Sequence, residues 1–243
     1  MTSLRQAGHL QLAIGTACGM LLAALAASSS GAEVRLAHVF QDNMVLQREM
    51  PVPVWGWGEP GTAAEVVFAG QQQQTKVGAD GAWRIVLDPL RAEAGGRPLR
   101  VTVGDTGVVR KNVVVGEVWV AAGQSNMNHS GPDRDTGLYP HHVSTGSGAE
   151  RPDIRTTRFG FGASLEPLPD IDPARYGNAP WAVLAEDAPN RKMNMAQYAA
   201  RVIRDSLDVP VGVLHVAVSG TNQAAWMARE TLETFPGKGD HAN

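Results

Sequence analysis

Short alternating runs dominate the chain after residue 33. Val52-Pro-Val-Trp-Gly-Trp57, Ala64-Glu-Val-Val-Phe68, Trp83-Arg-Ile-Val-Leu87 and Leu99-Arg-Val-Thr-Val103 place apolar side chains at alternate positions, the period of a half-buried strand. Turn residues separate them: Glu59-Pro-Gly61, Gly78-Ala-Asp-Gly81, Asp88-Pro89 and Gly104-Asp105. Gln71 to Gln74 fit a solvated strand or loop. No helical period interrupts this stretch, so residues 33–112 read as a small β-sandwich-like module.

The pattern changes at Val113. Val113-Val-Val-Gly-Glu-Val-Trp-Val-Ala-Ala122 is a nearly continuous apolar run, as expected of a strand covered on both faces in a parallel sheet. It ends at Gly123-Gln-Ser-Asn126. Residues 128–180 are polar and rich in Gly, Pro, His and Asp, and read as a loop-rich insertion. Met195, Tyr198, Ala199, Val202, Ile203 and Leu207 then follow helical spacing and predict one buried face. Asp208-Val-Pro210 stops that helix. Val211-Gly-Val-Leu-His-Val-Ala-Val218 predicts a second buried strand, and Ser219-Gly-Thr221 turns into a helix from Asn222 to about Thr234. The expected fold class is α/β: a β-sandwich-like module, then the first part of a doubly wound parallel sheet over residues 113–243.

The first 32 residues differ from both regions. Arg5 precedes an uncharged apolar run from Leu10 to Ala27, and Ala24-Leu-Ala26 and Ser30-Gly-Ala32 both fit a small-x-small cleavage site. This reads as a secretory signal peptide, residues 1–32, and implies export to a periplasmic or extracellular space. The alternative is a membrane anchor, because the run is nearly long enough to span; its Gly, Thr and Ala content favours cleavage and no stable anchor afterwards. The one cysteine, Cys18, lies inside this run, so the mature chain would be thiol-free. With 21 Lys and Arg against 24 Asp and Glu, the net charge is −3. Nothing draws the whole chain toward nucleic acid. Nothing in the sequence sets an oligomeric state.

The chemistry sits at the two strand ends. In open α/β sheets, sites form beyond the carboxyl ends of the strands. Ser125 on a tight strand-to-helix turn offers an exposed hydroxyl and a backbone N–H aimed into the same space, a nucleophile with half an oxyanion hole. At the second end, Gly220 lets another N–H approach without a Cβ in the way. Standing alone, the first turn reads more readily as a capped helix start.

Longer strings add to this reading. Gly116-Glu-Val-Trp-Val-Ala-Ala-Gly-Gln-Ser-Asn-Met127 resembles the nucleophile block of the sialate O-acetylesterase-like family, within the SGNH hydrolase superfamily. Asp42-Asn-Met-Val-Leu-Gln-Arg48, Pro51-Val-Pro-Val-Trp-Gly-Trp57 and Glu59-Pro-Gly61 look like its N-terminal β-module. Val209-Pro-Val-Gly-Val-Leu-His215, Ser219-Gly-Thr221 and Ala225-Trp226 are similar to its second block. The resemblance covers about residues 36–235, without 128–180. It implies Ser125 as catalytic nucleophile and oxyanion donor, and the Gly220 N–H as a second oxyanion donor. Where the family usually has Gly-Gly-Thr, this chain has Ser219-Gly-Thr. The family's Asp-x-x-His lies far downstream of the second block. None follows Gly220 here, and Asp240-His241 has the wrong spacing, so the chain is expected to be a fragment that lacks its general base.

The implied function is a secreted carbohydrate O-acetylesterase acting on acetylated sugars. The alternative is a non-catalytic exported glycan-binding protein derived from that family. No cofactor and no metal site is expected: His129, Asp133, Asp135, His141 and His142 match no ligand spacing. His129, His141 and His142 are weak stand-ins for a base, and His215 reads as a hydrogen-bonded core histidine. Trp55 and Trp57 share one sheet face and read as packing residues, and Trp83 as a strand residue. Trp119 and Trp226 read as core. Trp181 has no assignable role.

Overall fold

The computed structural model describes residues 34–128, 151–159, 168–171, 178–184 and 195–234. Residues 1–32, read from the sequence as a signal peptide, lie outside the described residues, as do His129, Asp133, Asp135, His141, His142, Asp240 and His241.

The fold is mixed α/β, with many strands and few helices. The first strands are β1 (Arg35–Leu36), β2 (Val45–Gln47), β3 (Val52–Trp57), β4 (Ala63–Phe68), β5 (Gln71–Lys76), β6 (Ala82–Leu87) and β7 (Glu93–Val103). An 18-residue strand, β8 (Thr106–Gly123), leads into the one-turn helix α1 (Ser125–Asn128). Then come β9 (Arg151–Phe159), β10 (Asn178–Leu184), helix α2 (Met195–Leu207) and β11 (Val211–Ala217). A 3-10 turn (Gln223–Trp226) and the short helix α3 (Arg229–Leu232) follow.

Strands β1, β3 and β6 form one antiparallel sheet. An eight-stranded sheet runs β10-β9-β11-β8-β7-β4-β5, with β2 paired to β8 off that path. Alternation explains the first half. In β3, Val52 and Val54 are buried while Pro53, Trp55 and Trp57 are half-buried. Val54, Ile85 and Leu87 of the small sheet join Val66, Phe68, Leu99 and Val101 of the large one in a single hydrophobic cluster. The larger apolar side chains there each contribute on the order of 1.5–3 kcal/mol by leaving water. Trp55 meets Phe40 edge-on at 4.8 Å, and Arg35 lies 3.9 Å over the Trp57 ring, so both tryptophans serve packing. Trp83 is buried. The glutamine run forms the exposed strand β5.

In the second half, β11 lies between β8 and β9 and runs parallel to both. Helix α2 packs on one face of these strands through Ala196 and Ala200, beside Ala121, Ile154, Val211 and Val213. Trp181 and Val45 cover the other face at Gly212. Trp181 is buried, and its indole N–H donates to the Val39 carbonyl at 3.0 Å. That gives it a definite structural place. Among the described residues no helix is long and apolar enough to cross a membrane.

Several expectations need correction. Residues 151–159, read as loop, form β9 within the sheet. The reason is visible in its composition: Arg155 and Thr157 are buried together with Ile154 and Phe159, so no apolar alternation marks it. The Arg155 guanidinium donates to the carbonyls of Asn43 (3.1 Å) and Asn112, and burial pushes its pKa below the ordinary value. Helix α2 has the expected bounds but turns a different face inward. Ala196, Ala200 and Arg201 are buried, while Met195, Val202 and Leu207 are exposed; small alanines let the helix approach the sheet closely. Strand β8 is not covered on both faces throughout. Trp119 is 52% exposed and Val120 64%, and Trp226 is 38% exposed, so neither tryptophan is core. The expected helix from Asn222 breaks into the 3-10 turn and α3, with Asn222 capping Ala225 N–H at 3.1 Å.

Candidate active site

The two strand ends singled out in the sequence are neighbours in space. Parallel pairing of β8 with β11 runs from Glu117↔Val211 to Gly123↔Ala217. At the entry, Glu117 N–H donates to the Pro210 carbonyl at 2.8 Å. A Cβ on Gly116 would stand 1.9 Å from that same oxygen, so only glycine fits this close approach. At the exit, Val218 N–H donates to the Gly123 carbonyl at 2.9 Å. The chain therefore leaves both strands at the same end of the sheet. Ser125 follows two residues after Gly123, and Gly220 three after Ala217.

Ser125 opens α1 and is half-buried. Gln124, in front of it, is exposed, and its side-chain carbonyl oxygen accepts twice. Ser125 Oγ–H donates to Gln124 Oε1 at 2.6 Å, and Ser125 N–H donates to the same atom at 3.0 Å. No histidine or carboxylate touches the hydroxyl among the described residues. With a single turn of helix behind it, Ser125 gains little from a macrodipole.

Gly220 sits in a tight turn. Thr221 N–H reaches the Val218 carbonyl at 3.4 Å and Thr221 Oγ1–H donates to it at 2.8 Å. The φ of Gly220 is +84°, the value required at the third position of a type II turn. Nothing lies within 4 Å of where its Cβ would be. Its glycine identity thus answers to the backbone angle within the protein itself. The indole N–H of Trp226 donates to Thr221 Oγ1 at 2.8 Å and braces the turn from outside. Gly220 N–H has no partner among the described residues.

His215 holds the two ends together from below. It is 5% exposed, and its Nε2 is 2.8 Å from the Met127 carbonyl. A carbonyl only accepts, so Nε2 carries a proton and fastens α1 to β11. This agrees with a hydrogen-bonded core histidine. Beside α1, an apolar groove of about 210 Å³ is lined by Trp119, Ala121, Met127, Met195, Ala199 and Ile203. Among the described residues no group of three or more His, Cys, Asp or Glu could hold a metal ion. Sequence reasoning passed over Gln124. Its signal was local: an amide side chain directly before a serine can reach that serine's own N–H.

No model of a protein family matches the chain. Curated relatives do. Sialate O-acetylesterase of Mus musculus is 27% identical over 238 residues, 88% of this chain and 41% of that protein. The Homo sapiens sialate O-acetylesterase is 32% identical over 134 residues, 48% of this chain and 24% of that protein. Among solved structures, a carbohydrate acetylesterase from Xanthomonas citri superposes with a TM-score of 0.71 at 27% identity, over 82% of this chain and 43% of that one. The chain therefore spans about two fifths of the length of the mouse relative, and its fold is one that a carbohydrate acetylesterase uses.

Proposed function

From its kinship with the sialate O-acetylesterases, we propose that this chain carries the nucleophile half of a carbohydrate O-acetylesterase of the SGNH type. Ser125 Oγ attacks the acetyl carbonyl of an acetylated sugar, the sugar hydroxyl leaves, and water releases acetate from the acyl-enzyme. The N–H groups of Ser125 and Gly220 hold the carbonyl oxygen as it gains negative charge. One observation carries this reading: Val218 N–H on Gly123 O locks the exits of β8 and β11 together, bringing a serine turn and a glycine turn to the same end of the sheet.

On this reading the general base is the histidine of an Asp-x-x-His, as the resemblance implies. The same reading includes a signal peptide over residues 1–32, export, a β-sandwich-like region over 33–112 and a doubly wound region over 113–243.

The test is acetate release from O-acetylated monosaccharides by the chain extended with the downstream part of a sialate O-acetylesterase relative. Activity is expected, and Ser125→Ala should lower kcat by at least about a thousandfold. An extended protein that folds and binds acetylated sugar but turns nothing over would favour the glycan-binding alternative. Full activity in Ser125→Ala would remove Ser125 from the mechanism.

A further inference from the structure

We propose that Gln124 is a latch on the nucleophile, and that its side chain must swing away before an ester can enter. The inference rests on the nucleophile reading of Ser125 and adds a closed state to it.

Donor and acceptor chemistry fixes the arrangement. A backbone N–H can only donate, so the Gln124 atom 3.0 Å from Ser125 N is the carbonyl oxygen and not the amide nitrogen. That oxygen also lies 2.6 Å from Ser125 Oγ. It has no proton to give, so the serine hydroxyl must be the donor. Both donors that Ser125 brings to the proposed site thus point at one atom. The first is the N–H that would hold the oxyanion. The second is the O–H whose proton a base must remove.

An amide oxygen is far too weak a base to take that proton, so the closed arrangement does not activate Ser125. Gln124 Oε1 stands where the carbonyl oxygen of a bound ester would accept from the Ser125 N–H. It satisfies the site in the absence of substrate. Release is cheap for two reasons. Gln124 is exposed, so other rotamers open directly into solvent. An entering carbonyl also replaces the lost acceptor like for like. The hydroxyl proton is then free to turn toward a base. Gln124 is in this sense a positioning residue that acts through Ser125.

Amide hydrogen exchange at Ser125, followed by NMR in the full chain, tests the latch without needing turnover. Gln124→Ala should speed exchange about fivefold, the loss of one ordinary hydrogen bond. Gln124→Glu keeps an acceptor at the same reach and should retain the protection. Unchanged exchange in Gln124→Ala overturns the latch. In the extended protein, Gln124→Ala should raise kcat/KM for acetate release about threefold, whereas a fall would mean that Gln124 aids the reaction and does not restrain it. Loss of turnover in every form, Gln124 variants included, would sink the nucleophile reading, while the exchange result would still decide whether Gln124 holds both donors.

Discussion

Gly220 and Ala69 both hold a positive φ, +84° and +50°, and the alanine has the strain that the glycine avoids. A Cβ at Gly220 would meet nothing, so Gly220→Ala should cost only backbone strain, about 1–2 kcal/mol. Urea unfolding measures that cost. Any loss of acetate release beyond it would report on the N–H itself. Ala69 and Gly70 form the two-residue connection between β4 and β5, where Phe68 pairs with Gln71, and both positive angles suit a type I′ turn. Ala69→Gly should therefore stabilise the chain by about 0.5–1 kcal/mol in the same urea experiment. Two surface carboxylates set a pH response. Hydrogen bonds from Gln72 and Gln74 hold Glu65 below the ordinary carboxylate value of 4.5, and Arg97, with the Gly95 N–H, does so for Glu93. Their folded pKa values are depressed, so the stability they confer is present above 4.5 and fades as pH falls through the folded values. Urea midpoints should drop on acidification, and the drop should shrink in Glu65→Gln.

Among the elements, junctions decide more than propensities. Gly116 lets Pro210 close on β8, and Gly116→Ala forces a Cβ into the Pro210 carbonyl. The strand pair must then separate at its root, and a loss of more than about 3 kcal/mol is expected, read by thermal or urea unfolding. Arg155 is the counterpart in β9. Replacing it with methionine keeps the bulk but leaves the carbonyls of Asn43 and Asn112 without that donor, at a cost of about 2–4 kcal/mol. The antiparallel strands were legible because their alternation survives burial on one face only, as Val52 and Val54 show. Strand β11 was legible because both of its faces are covered. Strand β9 was not, because its buried positions include a threonine and an arginine, Arg155, whose partners Asn43 and Asn112 are far away in sequence. The inward face of α2 was misread for a related reason: periodicity weighs large apolar residues, while the sheet selected the small Ala196 and Ala200. At the candidate site the two turns could be read from the chain, but the hold of Gln124 on Ser125 depends on a side-chain rotamer and could not.

For the molecule as a whole, the distribution of apolar surface is uneven. The antiparallel half closes around one cluster, while Trp119, Val120, Met195 and Val202 stand exposed around the end of β8 and α2. Exposed apolar groups gathered in this way favour self-association and dye binding. Val120→Lys should lower both, in sedimentation velocity and in fluorescence of a hydrophobic probe, with little change in unfolding midpoint because that side chain is already in water. Strand β8 has a different consequence. Its 18 residues give their first part to β7 and their last part to β11, so no soft joint divides the antiparallel region from the parallel one. A protease seeking a seam near Asn112 would find a bulge in the ladder there, but one whose backbone is tied down by Asp42, Asn43 and the Arg155 guanidinium. Two pieces separated there would each expose a raw margin of sheet. The serine turn is carried at the tip of a rod rooted in the opposite half of the protein, and whatever loosens that root should be felt at the hydroxyl.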